Sequence, residues 1–238
     1  MANAYIAGVI VSHEHRFIFV KTQKTAGTSI EVFLAGLAGA DAVVTPVKPA
    51  VSGHEPRNHT GWFNPLAQIR RERDPRPALA DLRRRRRFYN HISAARIRDR
   101  VGARVWDSYF TFCFERDPWD KVVSWYYYRL WQDPDMEFAE FVRTQPLPTE
   151  FDLYAIDGAV AVDFVGRFEA LGADLAHALA QVGIDRPVLL TREKGGSRPA
   201  DARPGALYTP ELDAIVARTF AREIREFGYP DRSASGAD

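Results

Sequence analysis

One stretch near the N-terminus places a lysine, several hydroxyls and a glycine between a strand pattern and a helix pattern. The apolar run Phe17–Val20 predicts a buried strand, and apolar residues at helical spacing follow from Ile30 onward. Amides at the start of a helix and its dipole attract anions, a lysine adds a full positive charge, and a glycine lets the backbone approach the ligand closely. The residues that we expect to bind a phosphate or sulfate are Lys24, Thr25, Ala26, Gly27, Thr28 and Ser29.

A second strand–turn–helix segment carries an arginine and a serine that suit another phosphate. Arg116 follows an aromatic strand pattern, with Asp117 as the expected N-cap and Pro118 at the first helical position. Ser124 lies about two turns into the predicted helix. An arginine fork and a hydroxyl together are apt ligands for a phosphate. The alternatives are a structural ion pair for Arg116 and a buried helical position for Ser124.

The first loop differs from the Walker A motif of nucleoside triphosphatases. That motif places its lysine after the second glycine and a hydroxyl on magnesium. Here Lys24 precedes Gly27, and we find no apolar strand ending in an aspartate of the Walker B type. The loop therefore lacks the usual magnesium–nucleotide pattern, and a solvated strand-to-helix turn is the alternative to an anion site.

The two segments together resemble those of the PAPS-dependent sulfotransferases, whose sulfuryl donor is 3′-phosphoadenosine 5′-phosphosulfate. The first is similar to their 5′-phosphosulfate loop and the second to their 3′-phosphate site. In particular, the chain resembles the carbohydrate branch that includes the heparan sulfate 2-O-sulfotransferases and bacterial relatives. Gln23 stands where that family often has proline. Further similar stretches lie at 88–98, 164–169 and 208–229.

The resemblance implies a mechanism and its residues. His91 occupies the position of the family's catalytic histidine, so it is the expected general base, and histidine titrates near neutral pH. Lys24 is the expected stabiliser of charge on the leaving oxygen. Glu31 and Glu55 are alternative bases. The related enzymes need no metal, so we expect the donor alone, with 3′,5′-ADP as its product.

Three more residues are candidate nucleotide contacts. Arg167 is expected near the adenosine or the 3′-phosphate, with an ion pair to Glu169 or another carboxylate as the alternative. Ser197 and Arg198 lie in a glycine-bearing basic loop that could close over the nucleotide or form a surface turn.

Strand and helix patterns alternate along the chain, which predicts an α/β fold with a parallel sheet. We expect strands near 16–20, 109–115 and 162–168 and a weaker one near 187–191, with helices over 28–38, 118–131, 171–183 and 210–227. The resemblance implies three layers, α/β/α, with a central parallel sheet and a P-loop-like nucleotide site. Ligands of such sheets bind at the carboxyl ends of the strands, where both loops fall.

Composition indicates one ordinary globular domain. We expect a single sulfotransferase domain over 1–230 and a disordered tail over 231–238. The net charge of +1 gives no reason to expect nucleic acid as a partner, and Cys113 is the chain's single cysteine. There is no apolar run long enough to span a bilayer and no secretory pattern at the N-terminus, so the sequence predicts a cytoplasmic protein without an integral membrane segment.

The segment over about 41–87 is rich in arginine and proline and is expected to be an insertion over the sheet edge or the active site. Residues 70–87 include nine arginines in eighteen positions. A solvated basic helix, contact with an anionic acceptor, and binding of nucleic acid or a membrane surface all fit this pattern. Trp62 and Phe63 suit either sugar stacking or anchoring of the insertion. His54 and His59 do not form a zinc motif, because Pro56 breaks the helix that it needs.

The sequence thus favours a sulfotransferase that acts on a hydroxyl of a carbohydrate or glycoconjugate. A nucleoside-triphosphate-dependent kinase on a similar scaffold is the alternative enzyme. The alternative without catalysis is a nucleotide-binding module that holds an anionic polymer through its arginines.

Overall fold

The structure is a computed structural model, and it describes residues 8–191 and 204–232. These residues form two compact units. The first lies within Met1–Glu115 and Asp152–Glu193, and the second within Arg116–Phe151 and Lys194–Asp238. Over the described ranges the strands are β1 (Val9–Ser12), β2 (Phe17–Val20), β3 (Val43–Val44), β4 (Phe110–Glu115), β5 (Ala155–Ile156), β6 (Ala159–Val160) and β7 (Phe164–Arg167). The α-helices are α1 (Gly27–Leu37), α2 (Leu66–Glu72), α3 (Pro75–Arg83), α4 (Ala94–Val101), α5 (Ala103–Trp106), α6 (Pro118–Arg129), α7 (Phe138–Thr144), α8 (Phe151–Tyr154), α9 (Leu171–Gln181), α10 (Pro210–Thr219) and α11 (Ala221–Phe227).

The first unit is built on a mixed five-stranded sheet with the order β3-β1-β2-β4-β7. Strand β2 pairs parallel with β4, and β4 pairs parallel with β7. Strand β1 is antiparallel to both β2 and β3. The α/β class is therefore confirmed. A wholly parallel sheet is wrong, because the β1–β2 hairpin reverses the chain at one side of it.

Aromatic side chains fill one face of this sheet. Phe17 and Phe19 of β2 lie against Phe112 of β4, with ring centroids 5.9 and 5.3 Å apart. Apolar residues of α1 and α9 belong to the same buried cluster. Every residue of β1 and β2 is buried, as expected for strands covered on both faces. This packing fixes the carboxyl ends of β2 and β4, where the predicted loops begin.

Two further expectations about the elements need correction. The weak strand expected near 187–191 does not form, although Pro187–Leu190 is apolar. The expected last helix is divided into α10 and α11 at Phe220, whose φ of −105° and ψ of 23° interrupt the helical geometry. Gly228 then ends α11 with φ 64°, as the sequence predicts.

The segment over 41–87 contributes to the sheet rather than only covering it. Val43 and Val44 form the edge strand β3, and Val44 also exchanges backbone hydrogen bonds with Arg57. Helices α2 and α3 follow, and Asp74 caps α3 by accepting a hydrogen bond from the amide of Arg76. The segment is therefore an ordered part of the first unit.

The second unit packs α6, α7 and α10 around buried Trp119. The carboxylate of Asp117 caps α6 by accepting from the amide of Asp120, and Thr209 caps α10 in the same way. The cap at Asp117 is the one that the sequence analysis predicts. Across the described residues, no helix combines the length and apolar character needed to cross a membrane. Of the tail predicted over 231–238, residues from 233 onward lie outside the described part.

Candidate active site

The first predicted loop is tied to the neighbouring parallel strand. Lys21 follows the end of β2, and the hydroxyl of Thr22 donates to the backbone oxygen of Phe114 in β4. Thr25 is fully buried, with its hydroxyl 3.0 Å from that of Thr22. Thr25 therefore stabilises the loop from within, while the loop stays fixed at the carboxyl ends of β2 and β4.

The loop backbone adopts left-handed conformations at two residues that carry side chains. Lys24 has φ 61° and Ala26 has φ 57°. Left-handed non-glycine residues cost conformational energy and are concentrated at functional sites. The oxygen of Ala26 accepts the first helical hydrogen bond, from the amide of Ile30. Helix α1 therefore begins directly after a tight turn, as anion binding at its N-terminus requires.

Gly27 is needed for packing inside the loop. A Cβ atom at this position would lie 2.8 Å from Cγ of Lys21 and 3.0 Å from the oxygen of Thr22. Among the other predicted ligands, Ser29 is buried, while Lys24 and Thr28 are half-buried. Hydroxyl and cationic groups thus lie on the loop and first turn, as predicted.

A buried ion pair lies beside the loop, and the sequence analysis missed it. Nζ of Lys21 is 2.6 Å from Oε2 of Glu31, and the hydroxyl of Thr45 donates to Oε1 of Glu31 over 3.2 Å. Nε2 of His54 lies 3.7 Å from the same Oε1. Burial alone would raise the pKa of Glu31, but the charge of Lys21 and its hydrogen bond hold that pKa below its usual value. Glu31 is therefore an enclosed carboxylate with a structural partner.

The expected base, His91, lies against the same loop. Its Nδ1 is 3.2 Å from Nε2, the side-chain amide nitrogen, of Gln23, although 68 positions separate the two residues in the sequence. His91 also has a left-handed backbone, with φ 60°. Burial, and then the positive charge of Lys21, lower the pKa of its imidazole. A lowered pKa keeps the ring neutral at physiological pH, which is the form that accepts a proton.

Charged side chains anchor the backbone that leads to His91. The guanidinium of Arg100 is fully buried and donates to the backbone oxygens of Arg86 and Arg87. It also donates to Asp81 over 2.7 Å and lies 4.3 Å from the ring centroid of Phe63. Phe63 is thus an anchor rather than a sugar platform. These contacts fix the chain just before His91.

The predicted phosphate ligands of the second segment belong to the second unit. Arg116 follows β4 directly in the chain and pairs with Asp120, with Nε 2.7 Å from Oδ2. Asp120 and Ser124 are one helical turn apart on α6, so they share a face. Ser124 is half-buried. The ion pair expected as the structural alternative for Arg116 is therefore present.

The remaining predicted nucleotide contacts, and the other alternative base, lie in different parts of the chain. Arg167 ends β7 opposite Glu115 in the register, and its side chain is exposed. Its amide donates to Asp174 over 2.6 Å. Ser197 and Arg198 lie outside the described residues. Glu55, the other alternative base, is exposed.

The arginines over 70–87 divide into paired and outward-facing groups. Arg71 pairs with Asp99, and Arg86 lies 3.3 Å from Asp81. Trp62 is 69% exposed, with the guanidinium of Arg85 5.9 Å from its ring centroid. The exposed arginines include Arg70, Arg73, Arg83, Arg84 and Arg85. Part of this segment therefore offers positive charge and an aromatic face to solvent.

Comparison with known proteins identifies the family of the chain. A family model described as the sulfotransferase family matches residues 7–230. The chain belongs to the sulfotransferase family. A relative from Archaeoglobus fulgidus, named as an uncharacterized protein, is 39% identical over 95 residues, which cover 37% of this chain and 79% of the relative. No solved structure matches the chain.

An enzyme of this family transfers a sulfuryl group to an acceptor that bears a hydroxyl. Within 8–191 and 204–232, no group of three or more His, Cys, Asp or Glu side chains is arranged to hold a metal ion. The sequence-based prediction of a sulfotransferase is confirmed at the level of the family.

Proposed function

We propose that this protein transfers a sulfuryl group from 3′-phosphoadenosine 5′-phosphosulfate to a hydroxyl of a carbohydrate or glycoconjugate. The observation that carries the proposal is the 3.2 Å contact between Gln23 of the anion loop and His91. It brings a neutral imidazole against the loop expected to hold the sulfuryl group, in a chain of the sulfotransferase family. The finer architecture that we propose has three layers around the sheet and a P-loop-like nucleotide site.

The chemistry of the loop fits the 5′-phosphosulfate end of this donor. Helix α1 begins after a turn with left-handed Ala26, so the helix start offers amides to an anion. Lys24 supplies the full positive charge, and Thr28 and Ser29 supply hydroxyls. Thr25 acts by holding the loop closed through Thr22. We assign this loop to the phosphosulfate.

Arg116 and Ser124 are assigned to the 3′-phosphate. Arg116 is ion-paired with Asp120, and a guanidinium has five N–H donors, so it can hold a carboxylate and a phosphate together. Ser124 lies on the helix face of Asp120. Arg167 is assigned a supporting contact to the nucleotide, because it ends β7 at the carboxyl edge of the sheet.

The protein's own groups would assist the transfer in two ways. When bound, the donor supplies an activated sulfuryl group. His91 would take the proton of the acceptor hydroxyl, because its lowered pKa leaves the ring neutral at pH 7. Lys24 would stabilise the negative charge that develops on the leaving oxygen. Glu31 is less suited to the role of base, because its carboxylate is enclosed and paired with Lys21.

The exposed part of the arginine-rich segment supports an anionic carbohydrate as the acceptor. Trp62 offers an aromatic face on which a sugar ring could stack, beside Arg85. Exposed arginines nearby in the sequence would attract carboxylates or sulfates on the sugar. This assignment gives the segment a function that a solvated basic helix would not have.

Calorimetry with 3′,5′-ADP, ADP and ATP in the absence of magnesium tests the donor assignment. We expect 3′,5′-ADP to bind most tightly, and at about 100 times its Kd to stabilise the fold by roughly 2.7 kcal/mol. Tighter binding of ATP with a magnesium requirement would favour a kinase. Binding of 3′,5′-ADP without turnover of any sugar, together with strong salt-dependent polymer binding, would favour a non-catalytic module.

A further inference from the structure

The contact between Gln23 and His91 joins the anion loop to the proposed base through one side-chain amide. The amide nitrogen of Gln23 is 3.2 Å from Nδ1 of His91, and both residues are half-buried. Gln23 directly precedes Lys24, the lysine that we assign to the donor. The contact therefore links the loop expected to hold the sulfuryl group with the proposed base.

The orientation of the amide decides which ring nitrogen of the neutral imidazole carries the hydrogen. A neutral imidazole carries a hydrogen on one ring nitrogen and a lone pair on the other. An amide nitrogen facing Nδ1 donates to the lone pair there, which leaves the hydrogen on Nε2. An amide oxygen facing Nδ1 accepts a hydrogen there, which leaves the lone pair on Nε2. A 180° turn of the amide exchanges the two arrangements.

We propose that Gln23 is the positioning residue of His91 and selects which neutral tautomer the imidazole adopts. The inference rests on the proposed role of His91 as base. With the amide nitrogen at Nδ1, as in the structure, Nε2 carries the hydrogen and the base is at rest. Turning the amide lets Nδ1 take a proton while Nε2 releases one to solvent. Nε2 then has a lone pair and can accept the proton of the substrate hydroxyl.

The surroundings of His91 make the tautomer the relevant variable. The charge of Lys21 acts on the ring and disfavours the imidazolium, in the same direction as burial. Glu31 offsets that charge in part, because its carboxylate is 2.6 Å from Nζ of Lys21. The left-handed backbone of His91 and the capping of α4 by Ser93 fix the ring's attachment on its other side. A neutral ring held in this way differs in function according to which nitrogen bears the hydrogen.

The test uses full-length protein labelled with ¹⁵N in its histidine rings, with wild type, Gln23→Glu and Gln23→Leu. Ring nitrogen shifts report tautomer and pKa directly, and His91→Gln identifies the signal among the six histidines. A carboxylate can only accept, so Gln23→Glu should fix the hydrogen on Nδ1 and raise the pKa of His91 by about one unit or more. Gln23→Leu should give a mixture of tautomers. Identical His91 shifts and pKa values in all three proteins would overturn the proposal.

Turnover separates this proposal from the function on which it rests. With a sugar acceptor in hand, Gln23→Glu should move the acidic limb of the pH profile to higher pH. Gln23→Leu should lower kcat and leave the affinity for 3′,5′-ADP unchanged. A normal response of the ring in a protein that transfers no sulfuryl group would reject the function and keep the positioning. If both variants transfer sulfuryl groups with the pH profile of the wild type, the proposed function is kept and the positioning role of Gln23 is rejected.

Discussion

Lys21 and Glu31 form a buried ion pair at the base of the anion loop, with Nζ 2.6 Å from Oε2 and side-chain exposures of 5% and 1%. The pair joins the residue after β2 to the second turn of α1. Thr45 adds a hydrogen bond to Glu31 from the chain beyond β3. The first lysine of the loop is therefore committed to holding the loop's shape. This division of labour leaves Lys24 as the lysine that we assign to the ligand.

We expect loss of either partner of this pair to destabilise the protein strongly. Glu31→Gln or Lys21→Met leaves a buried charge without its partner, which costs about 3–5 kcal/mol. The double variant Lys21→Met/Glu31→Leu should recover much of that loss, because neither charge remains. Urea unfolding at pH 7 measures all three. The surface pair Arg143–Glu211 supplies the control, and Arg143→Ala should change stability far less. Equal losses at both pairs would contradict a structural role for Lys21.

The same pair should make stability depend on pH in the acidic range. The pKa of Glu31 is lower in the folded protein than its ordinary value of 4.5. Its contribution to stability is therefore fully present above pH 4.5 and is lost as the pH falls through the folded pKa. Below that pH, we expect the wild type to lose stability relative to Lys21→Met/Glu31→Leu, which has no carboxylate at position 31. Unfolding curves from pH 7 to pH 3 would measure it, and a constant difference would exclude Glu31 as the source.

Two glycines of α1 offer a matched test of packing in the loop. A Cβ on Gly27 would meet Lys21, whose Nζ is already held by Glu31, whereas a Cβ on Gly36 would meet nothing within 4 Å. Gly27→Ala should cost about 1–3 kcal/mol through overpacking. Gly36→Ala should stabilise the helix by about 0.5–1 kcal/mol. Thermal unfolding of the two variants decides the matter, since similar shifts would show that the space at Gly27 is not restricted.

Local sequence patterns were sufficient to predict the strands and helices that position the candidate site. Apolar runs predicted β2, β4 and β7, and the capping residue Asp117 predicted the start of α6. The apolar residues near 187–191 did not form a strand; Val188 and Leu190 instead pack against the buried cluster of the first unit as irregular chain.

The contacts within the site were beyond local prediction. Lys21 and Glu31 are 10 residues apart, and Gln23 and His91 are 68 apart. Nothing in the spacing of the two lysines tells which one is buried. The resemblance to a known family suggested His91 as the base, but it gave no partner for its ring, because the contact with Gln23 joins segments that are distant in the sequence. Such pairings depend on the tertiary fold.

Substitutions in the two phosphate segments should have different kinetic effects. Arg116→Ala and Ser124→Ala should weaken binding of 3′,5′-ADP, because the 3′-phosphate keeps its charge through the reaction. Lys24→Ala should mainly lower kcat, because the charge that it stabilises develops during transfer. Calorimetry and initial rates measure the two effects. A Lys24→Ala enzyme with full turnover and poor donor affinity would remove the lysine from its catalytic role.

The proposed reaction depends most on proton removal by His91. If its imidazole takes the proton of the acceptor hydroxyl, His91→Ala should lower turnover by about 10²–10⁴-fold and leave the affinity for 3′,5′-ADP unchanged. Since burial and Lys21 lower the pKa of His91 from its ordinary value of 6.5, the rate should rise with pH and level off below that value. The plateau follows because the neutral ring is the active form.

The control for His91 is a histidine outside this contact. His13 lies on the surface near Tyr109, and His13→Ala should leave turnover and its pH profile as in wild type. Near-normal turnover of His91→Ala would make His91 structural and return attention to Glu55, the exposed carboxylate. Loss of nucleotide affinity together with turnover would mean that the substitution had disturbed the loop held by Gln23. Only lost turnover with intact affinity assigns the proton transfer to His91.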